Sequence, residues 1–560
     1  MKTILLSSLD VVYPDKCPDE FTGKLTSLLN EPLSFQLAFM NDEDASFRVN
    51  VVVESALPIN LYSVGNVIVN RYNDYVVDKS RHYCPDMLLP LNYKGKIENH
   101  PYPWSDYYLQ AENRYYVNAY NDEWNTLWLT VNESGKNLKP GVYPISVKFI
   151  NTHNELIHEF KTDITILDKK LPPQKLPVTQ WFYCDCLSDY YRTEVFSEEF
   201  FKIMENYLKV AVNNGMNMVL VPAFTPPLDV GIGRERKKTQ LVKVTITDTG
   251  YEFDFSLLDK FIDVAKKSGI TYFEHSHLFT QWGAKHAPAI YANVKNKDGK
   301  YVEKEIFGWK TDASKPKYIN FVRAYMKAFR EYAKGKKIIS KTLIHISDEP
   351  MTRYGDGYEK AYTAIKDYLD GFMQGDALSE YSYYEKGYVK APIAVTDEIE
   401  NFYGKCDHLW CYYTSLQTQK GCSNSVLGYE HEKNRALGYQ MYMFNVEGFL
   451  NWGYNCWYNV MSRGLSDPKS QTNTFGLSAG SSFLVYPEND GTPIQSIRHK
   501  VFGEGIRDFR ALKLLEKEKG RKTCEKLVEK HFGKVTFQTL PTGPKQMLAF
   551  RAELNDMLCK

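Results

Sequence analysis

From Val178 to about residue 510 the sequence alternates apolar strand-like runs with amphipathic helical segments, and that alternation constrains the fold most. The predicted strands are Val178–Cys184, Asn217–Val221, Ile270–Glu274, Lys341–Ser347, Pro392–Thr396, His408–Tyr413 and Gly448–Trp452, with a short eighth at Phe483–Tyr486. Helices are predicted between them, among them Ser197–Asn213 with Ser197 as N-cap, Ser256–Ser268 closed by Gly269, Pro316–Lys334, Gly357–Asp370, Lys433–Phe444 and Ser496–Lys519. Fully buried parallel strands read as continuous apolar runs, and repeated strand–helix units of this kind predict a (β/α)8 barrel over 178–510.

Residues 1–168 read differently. Short segments of period-two alternation, Leu33–Met40, Phe47–Glu54, Val64–Asn70, Thr126–Val131, Tyr143–Ile150 and Thr162–Leu167, are separated by turn residues such as Pro140-Gly141. Helical periodicity is absent, which predicts a β-sandwich. The Pro- and Lys-rich stretch at 169–177 reads as a linker, and 511–560 as amphipathic helices packing on the barrel. The expected fold class is therefore multidomain, β followed by α/β, with a helical C-terminal extension.

A formal net charge of +1 over 560 residues argues against nucleic acid or an anionic membrane as the partner. The start, MKTILLSSLDVVYPD, has an apolar core too short and too interrupted for a signal peptide, and no run approaches a membrane span. The ten cysteines are scattered, so reduced thiols and a cytoplasmic location are expected, with no metal and no cofactor. The basic run Arg234–Lys238 reads as a solvated loop tip or hairpin end and not as a phosphate site.

In a barrel the strand ends must face one mouth. Here they offer Asp185, His277, Trp282, Asp348, Glu349, Asp397, Trp410, Tyr412, Tyr413, Trp452 and Asn455. Acids among aromatics, with no phosphate-binding glycine loop, point to glycoside hydrolysis. Asp348 and Glu349 are adjacent in the run KTLIHISDEP, directly after a predicted strand. Two neighbours in one segment are badly placed to flank a glycosidic bond from opposite sides. They suit a division of labour in which the substrate's 2-acetamido oxygen attacks, Glu349 protonates the leaving oxygen and Asp348 holds the acetamide N–H. The competing reading makes Asp348 a helix N-cap with Glu349 in the first turn. For the aromatics the alternative is packing beneath loops. Trp282, Trp410 and Trp452 are candidate sugar platforms. Asp185, His277 and Asn455 are candidate hydroxyl-binding groups. Tyr412 or Tyr413 would donate to the acetamide oxygen, only one of the two facing the mouth. Arg435 and Arg498 are expected as structural ion-pair partners.

The segments LPVTQWFYCDCL (176–187), FEHSHLFTQWGAKHAPAI (273–290), ISDEP (346–350), NRALGYQMYMFNVEGFLNWGYNCWY (434–458) and FLVYPENDGTPIQSIRHKVFGEGIRDFRALKLLE (483–516), together with EPLSFQLAF (31–39) and YCPDMLLPL (83–91), resemble glycoside hydrolase family 123 and its wider relatives in the same order along the chain. The resemblance implies a β-sandwich followed by a (β/α)8 barrel. It also implies retaining, substrate-assisted cleavage of β-linked N-acetylgalactosamine by an Asp-Glu pair, which is Asp348 and Glu349 here. Lys500 and Gly503 stand where the family pattern leads one to expect Glu and Arg, and the segment between Trp410 and Arg435 is shorter than the pattern. The partner so implied is an oligosaccharide or glycoconjugate substrate; a homodimer is left open. Two other readings stay open at this level: a conventional retaining glycosidase with its nucleophile on another strand, at Asp397 or Glu447, and an inactive glycan-binding protein.

Overall fold

The computed structural model describes residues 1–43, 47–69, 81–91, 116–151, 155–229, 231, 233–234, 236–473 and 477–560. Asn70, the predicted end of a strand, and Glu235, within the basic run, lie outside the described residues. The chain divides into two compact units. The first comprises 1–173, 425–442 and 494–560; the second comprises 174–424 and 443–493.

The first unit is rich in antiparallel sheet. One sheet runs in the order Lys2–Ser7, Leu33–Met40, Asn125–Val131, Ile59–Ile68, Tyr83–Pro90 and Pro493–Ser496. Another runs Leu25–Leu28, Leu156–Leu167, Gly141–Ile150, Phe47–Glu54 and Tyr116–Ala119. Period-two alternation puts Phe35, Leu37 and Phe39 of the first sheet into the same apolar cluster as Val49, Val147 and Phe149 of the second. The C-terminal helices Ile497–Lys519, Arg521–Phe532 and Pro544–Cys559 belong to this unit. Two expected ion pairs involve the first of them: its Arg498 bonds Asp86 at 3.0 Å, and its Asp508 bonds Arg435 of the helix His431–Arg435 at 2.7 Å.

The second unit is built on a parallel sheet of short, buried strands. Its order is Met373–Gln374, Thr342–Ile344, Tyr272–His275, Met218–Val221, Val178–Gln180, Gly448–Asn451, Trp410–Tyr413, Ile393–Val395 and Ala377–Leu378. The two strands at the ends of that order are separated in the chain by Gly375 and Asp376 alone. The stretch 373–378 escapes a search for apolar runs, because Asp376 interrupts it and Gly375 sits where a Cβ would lie 2.6 Å from the Ala391 carbonyl. The predicted strand Phe483–Tyr486 takes no place in this sheet. Helix Glu198–Asn213 begins where predicted, the Ser197 hydroxyl accepting from the Phe200 amide.

Other boundaries move. The strand from Val178 stops at Gln180, and Cys184–Tyr191 is a helix, so Cys184 and Asp185 lie in its first turn and not on a strand end. The predicted helix Lys433–Phe444 is two pieces, His431–Arg435 and Leu437–Met443. A four-stranded sheet, Gly250–Asp254, Lys243–Thr247, Ile290–Lys295 and Tyr301–Phe307, occupies chain that the sequence reading left as loop.

Candidate active site

The strand Thr342–Ile344 sets the position of everything around it. Beyond its last residue the backbone bends at Ile346 and again at Asp348 and Glu349, held from two sides. The Phe279 amide donates to the Ile346 carbonyl at 3.0 Å, and the Trp282 amide donates to the Asp348 carbonyl at 2.8 Å. On the other side the Ile346 amide donates to the Asp376 carboxylate at 3.0 Å. Asp348 and Glu349 follow at the C-terminal end, both half-buried. The helix-cap reading fails here. No helix begins at Asp348, and Glu349 has a left-handed backbone, φ +43°, before a short 3₁₀ turn at Thr352–Tyr354.

Asp229 and Trp282 also have left-handed backbone, φ +53° and +61°. Such conformations cost a non-glycine residue about 1–2 kcal/mol and persist where surrounding contacts over-determine them, which is characteristic of functional sites.

Three carboxyls share this field. Burial pushes Asp348 well above its ordinary proton affinity, and the Glu349 and Asp229 charges push it further. Asp229 is pushed up to about 6 by burial, with the Glu349 charge adding to it, against the Tyr183 hydroxyl and the Arg236 guanidinium, which hold it down. Glu349 is anchored by the Tyr412 hydroxyl, which donates to its Oε1 at 2.7 Å. Tyr413, next along the strand, faces the other way and packs edge-on against Phe449 at 5.1 Å between centroids. Of the two tyrosines expected as donors to the acetamide oxygen, Tyr412 is the one whose hydroxyl lies at the acids.

Beneath the acids lies a buried polar chain. His345 Nε2 meets Glu274 at 2.8 Å and Nδ1 meets Asp376 at 3.0 Å. Glu274 accepts from Thr179 at 2.5 Å and from the Trp181 indole at 2.7 Å. Asp376 also accepts from the Tyr358 hydroxyl. Burial alone would drive the imidazole towards neutrality. The hydrogen bonds and charges of Asp376 and Glu274 outweigh it and hold His345 up at about 10, so the ring is a cation at neutral pH. His277 stacks on it with centroids 4.3 Å apart and is itself driven to the neutral form, first by burial and then by the His345 charge. Among the described residues both ring nitrogens of His277 are without a partner. His277, His345 and Asp376 also bring potential metal-ligand atoms within 4.8 Å of one another. Both nitrogens of His345 already face carboxylates, an arrangement that suits a proton on the ring.

Several expected sugar contacts take other duties. Asp185 is engaged by Arg236, Nη2 to Oδ2 at 2.7 Å, with both side chains almost fully buried. The same contact corrects the reading of Arg234–Lys238 as a solvated tip. Arg236 turns inward, where its guanidinium also lies 5.3 Å from the centre of the Tyr183 ring. Tyr183 in turn donates to Asp229 and to the Trp452 carbonyl. Asn455 is fully buried and bridges backbone, accepting from the Tyr183 amide at 2.8 Å. Trp410 is packed over Gly448, where a Cβ would come within 2.1 Å of the indole. Trp452 is 7% exposed, whereas Trp282 is 36% exposed beside Asp348. Asp397 is tied to Lys420 at 3.0 Å. Glu447 precedes the strand Gly448–Asn451 and bonds His408 at 2.7 Å. In a parallel sheet that is the end opposite Asp348, which removes Glu447 as a nucleophile. Sequence reasoning placed Glu274 at a strand end but did not join it to His345, and it missed Asp229, His345 and Asp376: Asp229 sits in a long loop, His345 lies inside an apolar run that reads as core, and Asp376 falls in a stretch too short and broken to read as a strand.

Residues 181–515 match the family model described as glycoside hydrolase 123, catalytic domain. The chain therefore belongs to glycoside hydrolase family 123 and is a glycoside hydrolase. A family 123 glycoside hydrolase from Clostridium perfringens, described in connection with glycolipid glycan hydrolysis, superposes with a TM-score of 0.71 at 16% identity, over 100% of this chain and 97% of that one. Weaker similarity extends to a β-glucuronidase from Parabacteroides merdae, TM-score 0.30, 10% identity, 84% of this chain and 50% of that one. A Clostridium thermocellum xylanase gives a TM-score of 0.32 at 9% identity, over 87% and 95%. No curated protein matches the chain. Among the described residues no helix is long and apolar enough to cross a membrane.

Proposed function

We propose that the protein is a retaining exo-glycosidase of β-linked 2-acetamido sugars, N-acetylgalactosamine foremost, on oligosaccharide or glycoconjugate substrates. The parallel sheet acts as an eight-stranded barrel joined through 373–378, and the antiparallel sheets of the first unit as a sandwich. The acetamide oxygen of the substrate attacks the anomeric carbon to form an oxazoline, which water then opens. Glu349 protonates the leaving oxygen and later takes a proton from the water. Asp348 accepts the acetamide N–H and stabilises the developing positive charge. Trp282 offers a face to the sugar.

The observation that carries this reading is the adjacency of Asp348 and Glu349 at one strand end, with the proton affinity of Asp348 raised first by burial and then by the Glu349 and Asp229 charges. Binding of the amide N–H favours the charged form of Asp348. The proton it releases is then available to Glu349, the group that needs it. A conventional mechanism requires an ionised nucleophile across the bond. Asp229, a carboxyl on another segment whose charge acts on Asp348, is pushed up by burial to about 6, which leaves it ionised near pH 7, so the labelling experiment below decides whether it serves as a nucleophile.

The test is a panel of nitrophenyl β-glycosides with and without the 2-acetamido group. The expected result is turnover of the acetamido sugars alone. Equal rates on the plain galactoside would sink the scheme, and labelling of Asp229 or Asp397 by a 2-fluoro glycoside would replace it with the conventional one.

A further inference from the structure

The first unit contains a cavity of about 640 Å³, within the range of small-molecule sites. It lies between the strands Leu25–Leu28 and Leu33–Met40, the chain at 19–24, and the helices Ile497–Lys519 and Pro544–Cys559. Its wall holds an unusual density of buried charge, and nearly all of it is paired. Glu504 accepts from Arg435 at 2.7 Å and from Ser8 at 2.8 Å. Glu31 accepts from Arg551 at 2.6 Å. Asp508, behind them, accepts from Arg435 and Arg551, both at 2.7 Å.

Arg507 is the exception. It lines the cavity, is 5% exposed, and makes no hydrogen bond or ion pair among the described residues. A guanidinium carries five N–H donors and cannot shed its proton, so a buried one without an acceptor is a net cost to the fold. Groups of that kind in a native structure call for an external partner.

We propose that this cavity is a binding site for a small organic monocarboxylate, its carboxylate taken in bidentate fashion by Arg507. The guanidinium fork matches a planar carboxylate. Glu504 and Glu31 on the same wall repel a second negative charge, which favours a carboxylate over a phosphate dianion. The volume and the apolar contribution of Phe21, Leu25 and Leu548 leave room for a body of sugar-acid size and not for the carboxylate alone. The site is independent of the acid pair and of the hydrolytic reading above.

The test is thermal unfolding and calorimetry of the full chain at fixed ionic strength with glucuronate, N-acetylneuraminate, lactate and inorganic phosphate. At least one carboxylate should raise Tm by several degrees and bind with a measurable Kd, phosphate by less. Arg507→Met should abolish that shift while melting, without ligand, at or above the parent. Ala549→Trp, which narrows the cavity from an exposed helix position and keeps the charge, should abolish the shift too. Glycosidase kinetics should be unchanged in both variants. The proposal is overturned by any of four results: no Arg507-dependent shift with the three carboxylates, phosphate binding as strongly as they do, an undiminished shift in Ala549→Trp, or an Arg507→Met protein that melts well below the parent, which would make the charge structural.

Discussion

Raising the pH from 6.5 to 10 should destabilise the second unit through one residue, His345. In the unfolded chain its imidazole titrates near 6.5; between Glu274 and Asp376 it titrates near 10. Because the folded value is the higher, the stabilisation is complete below pH 6.5. It declines between the two values, where the unfolded chain gives up its proton and the folded one does not, and is gone above 10. The gap of about 3.5 units, at about 1.4 kcal/mol per unit, amounts to about 5 kcal/mol. The residue is fully buried, so solvent does not discount it. The assay is guanidinium unfolding followed by tryptophan fluorescence at half-unit pH steps, on the parent and on Asp376→Asn. Tyrosine, cysteine and lysine side chains also titrate near pH 10, and the difference between the two proteins cancels them. Asp376→Asn keeps an acceptor for the ring but removes a charge, so its stability should fall at lower pH and flatten well before 10. Histidine resonances give the direct check. A stability curve flat from 6.5 to 9 in the parent, or an imidazole for His345 that titrates below 7, would refute the buried cation.

Glu349→Gln should cut kcat/KM by more than a hundredfold on substrates with poor leaving groups and by far less on activated aryl glycosides, because only the former need an acid. Asp348→Asn should cost both classes about 10²–10³-fold, the usual effect of removing one preorganised electrostatic contact to the transition state, measured as kcat/KM on the same panel. Arg236→Met strands Asp185 in a buried position and should lower stability by about 3–5 kcal/mol in denaturant titrations; Arg236→Met with Asp185→Leu should recover most of that loss. Trp282→Ala should raise KM about tenfold with little change in Tm, since the ring is more than one-third exposed.

The order of elements was legible where a parallel strand is a short apolar run, as in MVLV at 218–221, and where a helix carries a start signal, as Ser197 and Ser496 provide. The strand pieces 373–374 and 377–378 were not, since a strand broken by a glycine and an inward-facing aspartate has no periodicity left to detect. The acid pair was legible because carboxylates directly after an apolar run need an explanation. Its supporting network was not: Glu274 and His345 are charges embedded in strand sequence, and only the fold shows that they neutralise each other. Arg236 illustrates the converse. In sequence it is one of several basic residues in a polar loop, and nothing local distinguishes it from Lys237 and Lys238, whose side chains are more than one-third exposed. Trp410 and Asn455 are candidates for ligand contacts by residue type and strand-end position, and the fold engages Trp410 in packing over Gly448 and Asn455 in backbone hydrogen bonds.

The placement of the acids follows from where the cation sits. Two adjacent carboxyls and a third nearby cannot all ionise in a half-buried pocket, so the free site must hold at least one proton among Asp348, Glu349 and Asp229. Where it resides is set by fixed charges. His345 lies below Asp348 and draws its proton affinity down, against the pull of burial and of Glu349. Tyr183 and Arg236 do the same for Asp229. The two cations bring these carboxyls closer to the point at which a single hydrogen bond from a ligand decides which of them is charged. An amide N–H arriving at Asp348 supplies that bond; a hydroxyl, which is both donor and acceptor, discriminates less between its two protonation states. Discrimination between a 2-acetamido and a 2-hydroxy sugar is then expected to weaken when His345 loses its charge, and the ratio of kcat/KM for the two substrates should fall in Asp376→Asn even where the protein stays folded. An unchanged ratio would confine the buried network to a role in holding the strand.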